Sequence, residues 1–379
     1  MAIFQNKNLN KIYASESIRS LATQMIQIFI PIYLLTHGFS FVQIIAFYII
    51  SSLAHIILTV PIGYLGSKIG YKYLILLSIP FSIIFYLSLR NISGLSFFIF
   101  YLAIVREIGG TLYWVGRHSL LGFYSDKKKA GSQLGVHDIL SSLAQMPAPL
   151  IGGLILAISG INLLVIVVAI ILLLSVVPLI SIKEEWPDNK FSVNNLFSKL
   201  HVRNIPVFMT QGFDNIITSD LVWPVYLFFF ISLKYIALGF VSLVTSITSL
   251  FAIFFIGNLS DKNHRLTLKI GAISTIIIWI IRIFIKTPVQ VYAVDSVAGI
   301  SQEFIQIPFG ATSYKIAQEN HFLQMIVFRE MAIHAGKLVA LLAVLAIGSF
   351  KYSLFLGLLY PFGYLVFRFY EKNKINKNI

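Results

Sequence analysis

The chain is 379 residues long, 57% hydrophobic and 12% charged, with a formal net charge of +14 and a mean hydropathy of +0.84. That leaves too little polar surface to cover a water-soluble globule of this size, so the chain belongs in lipid. Membrane topology and anionic headgroups explain its basic excess without any nucleic acid, and with no cysteine it has neither disulfides nor thiolate metal sites.

Apolar runs of about 20 residues, each long enough to cross a hydrocarbon core as a helix, fall in chain order at 13–35, 41–62, 73–90, 97–121, 133–157, 161–182, 205–231, 236–256, 267–285, 289–311, 322–347 and 352–370. The runs are continuous rather than alternating, so they predict an all-α membrane protein of twelve transmembrane helices and not a β-barrel. A polar stretch at 183–204, charged around Glu184, Glu185 and Asp188, divides an N-terminal bundle over 1–182 from a C-terminal bundle over 205–371, and a basic tail follows at 372–379. Within 193–200, Leu196, Phe197 and Leu200 sit at helical spacing, but a plain tether is the simpler expectation. With both termini cytoplasmic, nineteen basic residues lie inside, Lys127, Lys128 and Lys129 among them, against Arg90, Lys234, Lys286 and Lys351 outside, as the positive-inside rule requires. The first residues lack the pattern of a cleaved signal peptide. Abundant Ile, Lys and Asn with short loops point to a prokaryotic inner membrane.

The two halves repeat each other. Pro31-Ile32-Tyr33-Leu34 returns as Pro224-Val225-Tyr226-Leu227, and Gly63-Tyr64-Leu65-Gly66-Ser67-Lys68 as Gly257-Asn258-Leu259-Ser260-Asp261-Lys262, at offsets of 193 and 194. Duplicated membrane units are how alternating-access transporters are commonly built. Gly63 and Gly257 would let a neighbouring helix approach closely, and Lys68, Lys72, Lys262 and Arg265 sit where helix carbonyl ends favour positive charge. On these residues the chain resembles the major facilitator superfamily over essentially its whole length. The stretch 63–72 is similar to that family's loop Gly-x-Leu-x-Asp-Arg-x-Gly-Arg-Lys, with Ser67 at the acidic position; the second copy keeps Asp261 but has His264 where glycine is usual.

The resemblance implies two pseudo-symmetric six-helix bundles, each of inverted three-helix repeats, with a substrate site between them. It also implies a gate that latches through Gly63, Ser67, Lys68, Gly257, Asp261, Lys262 and Arg265. In the fourth span, Leu102 to Gly110 is similar to the family's Leu-x-x-x-Arg-x-x-Gln-Gly, with Gly109 in place of the glutamine. In proton-coupled members that arginine is implicated in proton transfer, a role the resemblance carries to Arg106. A weaker likeness to the family's antiporter pattern runs through Gly135, Ala144, Ala148, Pro149, Gly152 and Gly153, where close packing and a bend are an equally good explanation.

Charges inside apolar runs must face inward, since exposure to lipid costs each about 2.5 kcal/mol or more. Arg106, Gly110, Tyr113 and Arg117 share one stripe of the fourth span, and Glu330, His334 and Lys337 one stripe of the eleventh. The candidates for substrate binding or proton coupling are Arg106, Glu107, Tyr113, Asp214, Asp220, Asp295, Glu303, Glu330, His334 and Lys337. Glu303 or Glu330 would carry the proton, with His334 as relay because imidazole titrates near neutrality. Repeat alignment sets Asp295 against Arg106 and suggests a pair across the bundles. Arg117 and Asp138 lie near one membrane surface and read as a gate. Glu16 and Arg19 read as a rim ion pair, Arg282 as snorkelling, His55 as a packed helix–helix hydrogen bonder, and Trp114, Trp223 and Trp279 as packing.

The sequence shows no nucleophile with its base and no metal-ligand spacing such as His-x-x-x-His, so no enzyme, cofactor or resident metal is expected. The expectation is a monomeric secondary active transporter, contacting lipid, that moves a small polar, zwitterionic or amphipathic solute by alternating access with proton coupling. The alternatives are a multidrug or metabolite efflux antiporter, an uncoupled facilitator, and a lipid-handling or non-transporting receptor.

Overall fold

A computed structural model of the chain describes residues 6–92, 96–125, 130–182, 191–319 and 322–367. Among them there are helices and turns and no strand. The N-terminal half holds α1 (Lys7–Gln24), α2 (Ile30–Thr36), α3 (Phe41–Ile69), α4 (Tyr71–Ser88), α5 (Ser96–Tyr124), α6 (Ala130–Gln145) and α7 (Ala148–Ile180). The C-terminal half holds α8 (Lys199–Arg203), α9 (Ile205–Asn215), α10 (Val222–Phe229), α11 (Tyr235–Ile283), α12 (Pro288–Glu319), α13 (Phe322–Ile347) and α14 (Tyr360–Val366).

Eight helical stretches among the described residues are long and apolar enough to cross a membrane. Two expected crossings, 133–157 and 161–182, fall on one such stretch, Val136–Ile180, which Gly160 breaks with a φ of 73°. Three others, 205–231, 289–311 and 352–370, do not give one continuous apolar helix of that length. The first of these is broken midway, the second mixes Asp295, Gln302, Glu303 and Gln306 among apolar residues, and the third is short.

The break in 205–231 has a counterpart in the other half. α1 gives way to a 3-10 turn at Gln27–Phe29 before α2, and α9 to a π-helical turn at Ile216–Asp220 before α10. Irregular backbone at membrane depth is stable only where protein or a polar cavity satisfies it, so both breaks point to the same interior space.

Local chemistry sets the turns. A capping box starts α3, with the Gln43 amide donating to Ser40 Oγ (3.3 Å) and the Ser40 amide donating to Gln43 Oε1 (2.8 Å). Between α3 and α4 the chain reverses at Gly70, whose φ of 98° suits glycine. The equivalent turn inside α11 is made differently: Asn263 adopts an extended conformation (φ −155°, ψ 82°) and its Oδ1 accepts from the Leu266 amide at 3.1 Å. Thus His264 can stand where the resemblance leads one to expect glycine.

The halves meet along α3 with α13 and along α7 with α11. The end of the molecule carrying residues 191–204 is called here the linker end. There a Cβ on Gly63 would sit 2.6 Å from Val327 Cγ2, whereas a Cβ on Gly257 would meet nothing within 4 Å. The repeated glycines are therefore not equivalent in this conformation. At the far end, Gly153 faces the Tyr235 carbonyl and Gly239 the Pro149 carbonyl so closely that a side chain on either would overlap backbone. Phe41 and Phe350 also meet edge to face at 4.7 Å.

Residues 191–204 are not a plain tether. Leu196, Leu200 and His201 are buried, and Leu196 joins an apolar cluster with Tyr71, Leu74, Val327 and Phe328, which ties this segment to both halves. The rest of the polar stretch (183–190), the loop lysines 127–129 and the tail 372–379 lie outside the described residues, as does the side chain of Asp261.

Candidate functional site

A cavity of about 350 Å³ lies between the halves, walled by α1, α3, α4 and α5 on one side and by α9, the π-helical turn and α13 on the other. Its lining is charged. Arg19, Arg106, Arg329 and Lys337 face it, as do Glu107, Asp220 and Glu330, with His55, His118 and His334 between them.

The centre is a contact between halves. His55 on α3 and His334 on α13 stack face to face, ring centroids 3.6 Å apart and planes 6° from parallel. His55 Nδ1 hydrogen-bonds Glu107 Oε2 at 3.0 Å, and Glu107 Oε1 accepts from Arg106 Nη1 at 2.8 Å. On the opposite edge, His55 Nε2 lies 3.8 Å from Glu330 Oε2. His55 Nε2 and His334 Nδ1 are both buried without a hydrogen-bond partner. Glu330 is also approached by Arg329 Nη1 at 3.6 Å and His118 Nε2 at 3.7 Å. His118 in turn hydrogen-bonds the Tyr314 hydroxyl through Nδ1.

Two imidazole rings from opposite halves thus meet face to face within a lining of both charges. Two imidazolium ions stacked this closely would repel each other. The Glu107 hydrogen bond orients His55 so that its free nitrogen points toward Glu330. His55, Glu107 and His334 also offer ligand atoms within 4.8 Å of one another, a grouping that no sequence spacing announced. Parallel stacking keeps the two imidazole lone pairs in separate planes, so both rings cannot face one metal ion as they stand. Lys337 closes the α13 side, donating to Asp220 Oδ2 at 2.8 Å, and the Tyr48 hydroxyl donates to the Asp220 carbonyl at 3.0 Å. The π-helical turn places Asp220 there by adding a residue to the local helical register.

A sequence profile of the Major Facilitator Superfamily matches residues 12–235. The chain belongs to this superfamily. No curated protein sequence matches it significantly. Among solved structures, the fold is similar to a bacterial homologue of the iron transporter ferroportin in an outward-facing state, with a TM-score of 0.71 at 11% identity over 95% of this chain and 98% of that one. A ferroportin-homologue structure with soaked iron gives 0.69 at 12% identity over 95% and 98%. A variant of the Escherichia coli fucose:proton symporter gives 0.67 at 13% identity over 95% and 97%. These likenesses establish a major facilitator fold and leave the chemistry to this chain's own residues.

Of the expected site residues, Arg106, Glu107, Tyr113, Asp220, Glu330, His334 and Lys337 come together around the cavity. Asp214, Asp295 and Glu303 do not line it. Asp214 is buried beside Thr218, whose hydroxyl donates to its Oδ1 at 2.9 Å. The suggested pair of Arg106 with Asp295 is not formed: Asp295 accepts from Arg282 Nη2 at 2.7 Å and from Trp223 Nε1 at 2.9 Å, inside its own half. Arg282 does not snorkel either; it is buried between the Trp223 and Trp279 rings, 4.3 and 4.7 Å from their centroids. Repeat alignment matched positions but could not see that Asp295 had a nearer cation thirteen residues before it.

The rim pair of Glu16 and Arg19 is likewise rearranged. Glu16 accepts from Arg117 Nε at 2.9 Å and from the Tyr113 hydroxyl, while Arg19 turns to Ser78 and Ser82. Asp138 hydrogen-bonds His137 of its own helix and is largely exposed, so Arg117 and Asp138 do not form the expected bridge. Of the superfamily's loop residues, Ser67 donates to the Tyr64 carbonyl, Lys68 lies over the Tyr64 ring, and Lys262 and Arg265 are exposed. Sequence reasoning passed over His55, Arg19 and His118 as site residues. The available signal for His55 was a lone imidazole in an apolar span.

Proposed function

We propose that this superfamily member is a secondary active transporter that carries a small polar, zwitterionic or amphipathic solute through the cavity by alternating access and couples that movement to protons. The observation that carries the reading is the His55–His334 stack. It is a titratable contact made by opposite halves, held between Glu107 and Glu330 and lining the cavity. If the halves rock, the stack must part, so proton occupancy and conformation are thermodynamically linked. In the joined state both rings are buried; when they separate, each imidazole meets water and can exchange a proton with it.

Arg106 pairs with Glu107 on the side away from His55, and Lys337 pairs with Asp220. Gly63 with its loop, Arg117 with Glu16, and the second copy around Gly257, Asp261, Lys262 and Arg265 act as gating elements at the linker end. In the full reading, bundles over 1–182 and 205–371 are joined by a cytoplasmic linker at 183–204 and rock as a monomer, with both termini cytoplasmic in a prokaryotic inner membrane.

The test is proton movement in proteoliposomes loaded with a pH-sensitive dye, using solutes first found by thermal shift. Solute addition acidifies or alkalinises the lumen with wild-type protein, and His55→Asn or His334→Asn uncouples that signal from solute exchange. A silent dye with pH-independent solute flux overturns the coupling and leaves an uncoupled facilitator. A divalent-cation cargo is the second reading, favoured by the ligand atoms of His55, Glu107 and His334 lying within 4.8 Å. It requires one ring to swing out of the stack, and it would be seen as flux of ferrous or manganous ion lost in His55→Asn.

A further inference from the structure

Three of the four cations lining the cavity have a carboxylate of their own. Arg106 pairs with Glu107 at 2.8 Å, Lys337 with Asp220 at 2.8 Å, and Arg329 with Glu330 at 3.6 Å. Arg19 has none. Its guanidinium donates to two neutral hydroxyls, Ser78 Oγ at 3.0 Å and Ser82 Oγ at 3.3 Å, and lies 3.8 Å over the Tyr113 ring. The nearest carboxylate along its helix, Glu16, is already bonded to Arg117 and to the Tyr113 hydroxyl. Arg19 is only 4% exposed, and its Nε is buried without a partner.

A guanidinium cannot shed its proton at neutral pH, and burying one without an anion is costly. With the histidines neutral, the lining therefore carries one positive charge in excess, located on the α1–α4 wall. We propose that Arg19 is the anchor of a subsite for a carboxylate group of the transported solute, so that the cargo is an organic monoanion or a zwitterion bound by its acidic end. This rests on the transport reading above and names its substrate class.

The surroundings suit that group. Gln27 and Tyr86 line the same wall and can donate to the anion, whereas the Thr23 hydroxyl beside them already donates to the Arg19 carbonyl; Tyr86 lies within electrostatic reach of both Arg19 and Arg106. Two forked guanidinium donors in a closed space recognise a planar carboxylate better than a neutral amide. The cavity volume of about 350 Å³ suits a small solute.

The full chain in lipid nanodiscs decides the matter through its thermal unfolding midpoint against a panel of aliphatic and aromatic sodium carboxylates, including amino acids, each compared with its primary amide. At least one carboxylate should raise the midpoint saturably while its amide does not, and Arg19→Gln should weaken that binding by about ten- to a hundredfold. Arg90→Gln, at an exposed arginine bonded to Asn162, should bind as wild type does.

The proposal is overturned if amides or amines bind and carboxylates do not, if nothing in the panel binds, or if Arg19→Gln binds as tightly as wild type. Should the glutamine variant not fold, Arg19→Lys decides, because loss of the fork must still weaken carboxylate binding and an unchanged affinity rejects the subsite. Binding that depends on Arg19 with no proton movement would defeat the coupling alone. Proton movement driven by solutes that ignore Arg19 would defeat the subsite alone.

Discussion

Arg282 is a buried guanidinium held between two indole rings, with Asp295 as its only ion-pair partner among the described residues. Removing one member of such a pair strands the other charge out of water, so Asp295→Ala should destabilise the protein by about 3–5 kcal/mol. Replacing both, Arg282→Met with Asp295→Leu, should recover most of that loss. Thermal unfolding in nanodiscs measures both, and an Asp295→Ala variant as stable as wild type would show the pair to be dispensable. The central network behaves differently because its members act as a unit. His55→Asn and Glu107→Gln should be non-additive in their effect on solute binding, with a coupling of about 0.5–3 kcal/mol, measured by a double-mutant cycle on solute affinity. The sequence made Glu107, Glu330 and His334 visible, because charge stands out in an apolar run. It could not show that Glu16 prefers Arg117, 101 positions away, over Arg19, three positions away. Pair identity is a property of the packed bundle and not of local spacing.

At the scale of helices, the duplicated signature loop shows how two copies of one motif diverge in use. Gly70 solves its turn by backbone freedom, and Asn263 solves the equivalent turn with a side-chain cap. Asn263→Ala should therefore cost about 1 kcal/mol, while Gly70→Ala should cost more, because φ near 98° is strained for any residue with a Cβ. Unfolding midpoints check the order, and equal losses would reject it. Close approach is also uneven. Gly239→Ala forces a methyl into the Pro149 carbonyl and should lose about 1–3 kcal/mol through overpacking, whereas Gly257→Ala meets open space and should be near neutral in this conformation. The repeat, the apolar runs and the loop glycines were legible because they are matters of composition and spacing. The midway breaks before α2 and α10 were signalled as well, by the repeated Pro31 and Pro224, which offer no N–H to the carbonyls of Gln27 and Asp220 four residues earlier and crowd them, although spacing alone did not give the 3-10 and π-helical form of the two turns.

At the scale of the whole molecule, contacts between halves are made at both ends of the cavity. At the far end Phe41 meets Phe350, and Gly153 and Gly239 pack against facing backbone; at the linker end Gly63 meets Val327, and His118 bonds Tyr314. Rigid halves cannot open to either side without releasing one of these sets, and the alternating access proposed above has each set release in turn. The absence of native cysteine gives a clean background for fixing one set. A Phe41→Cys, Phe350→Cys protein joined by a short reducible bis-maleimide should lose solute flux. It should keep solute binding measured from the linker side, and it should regain flux on reduction. Each single-cysteine protein treated in the same way should transport at the untreated rate. Full flux through the cross-linked protein would mean that the far end does not part during the cycle. Rocking of the halves that parts the His55–His334 contact would then be the wrong description of how this chain moves its cargo.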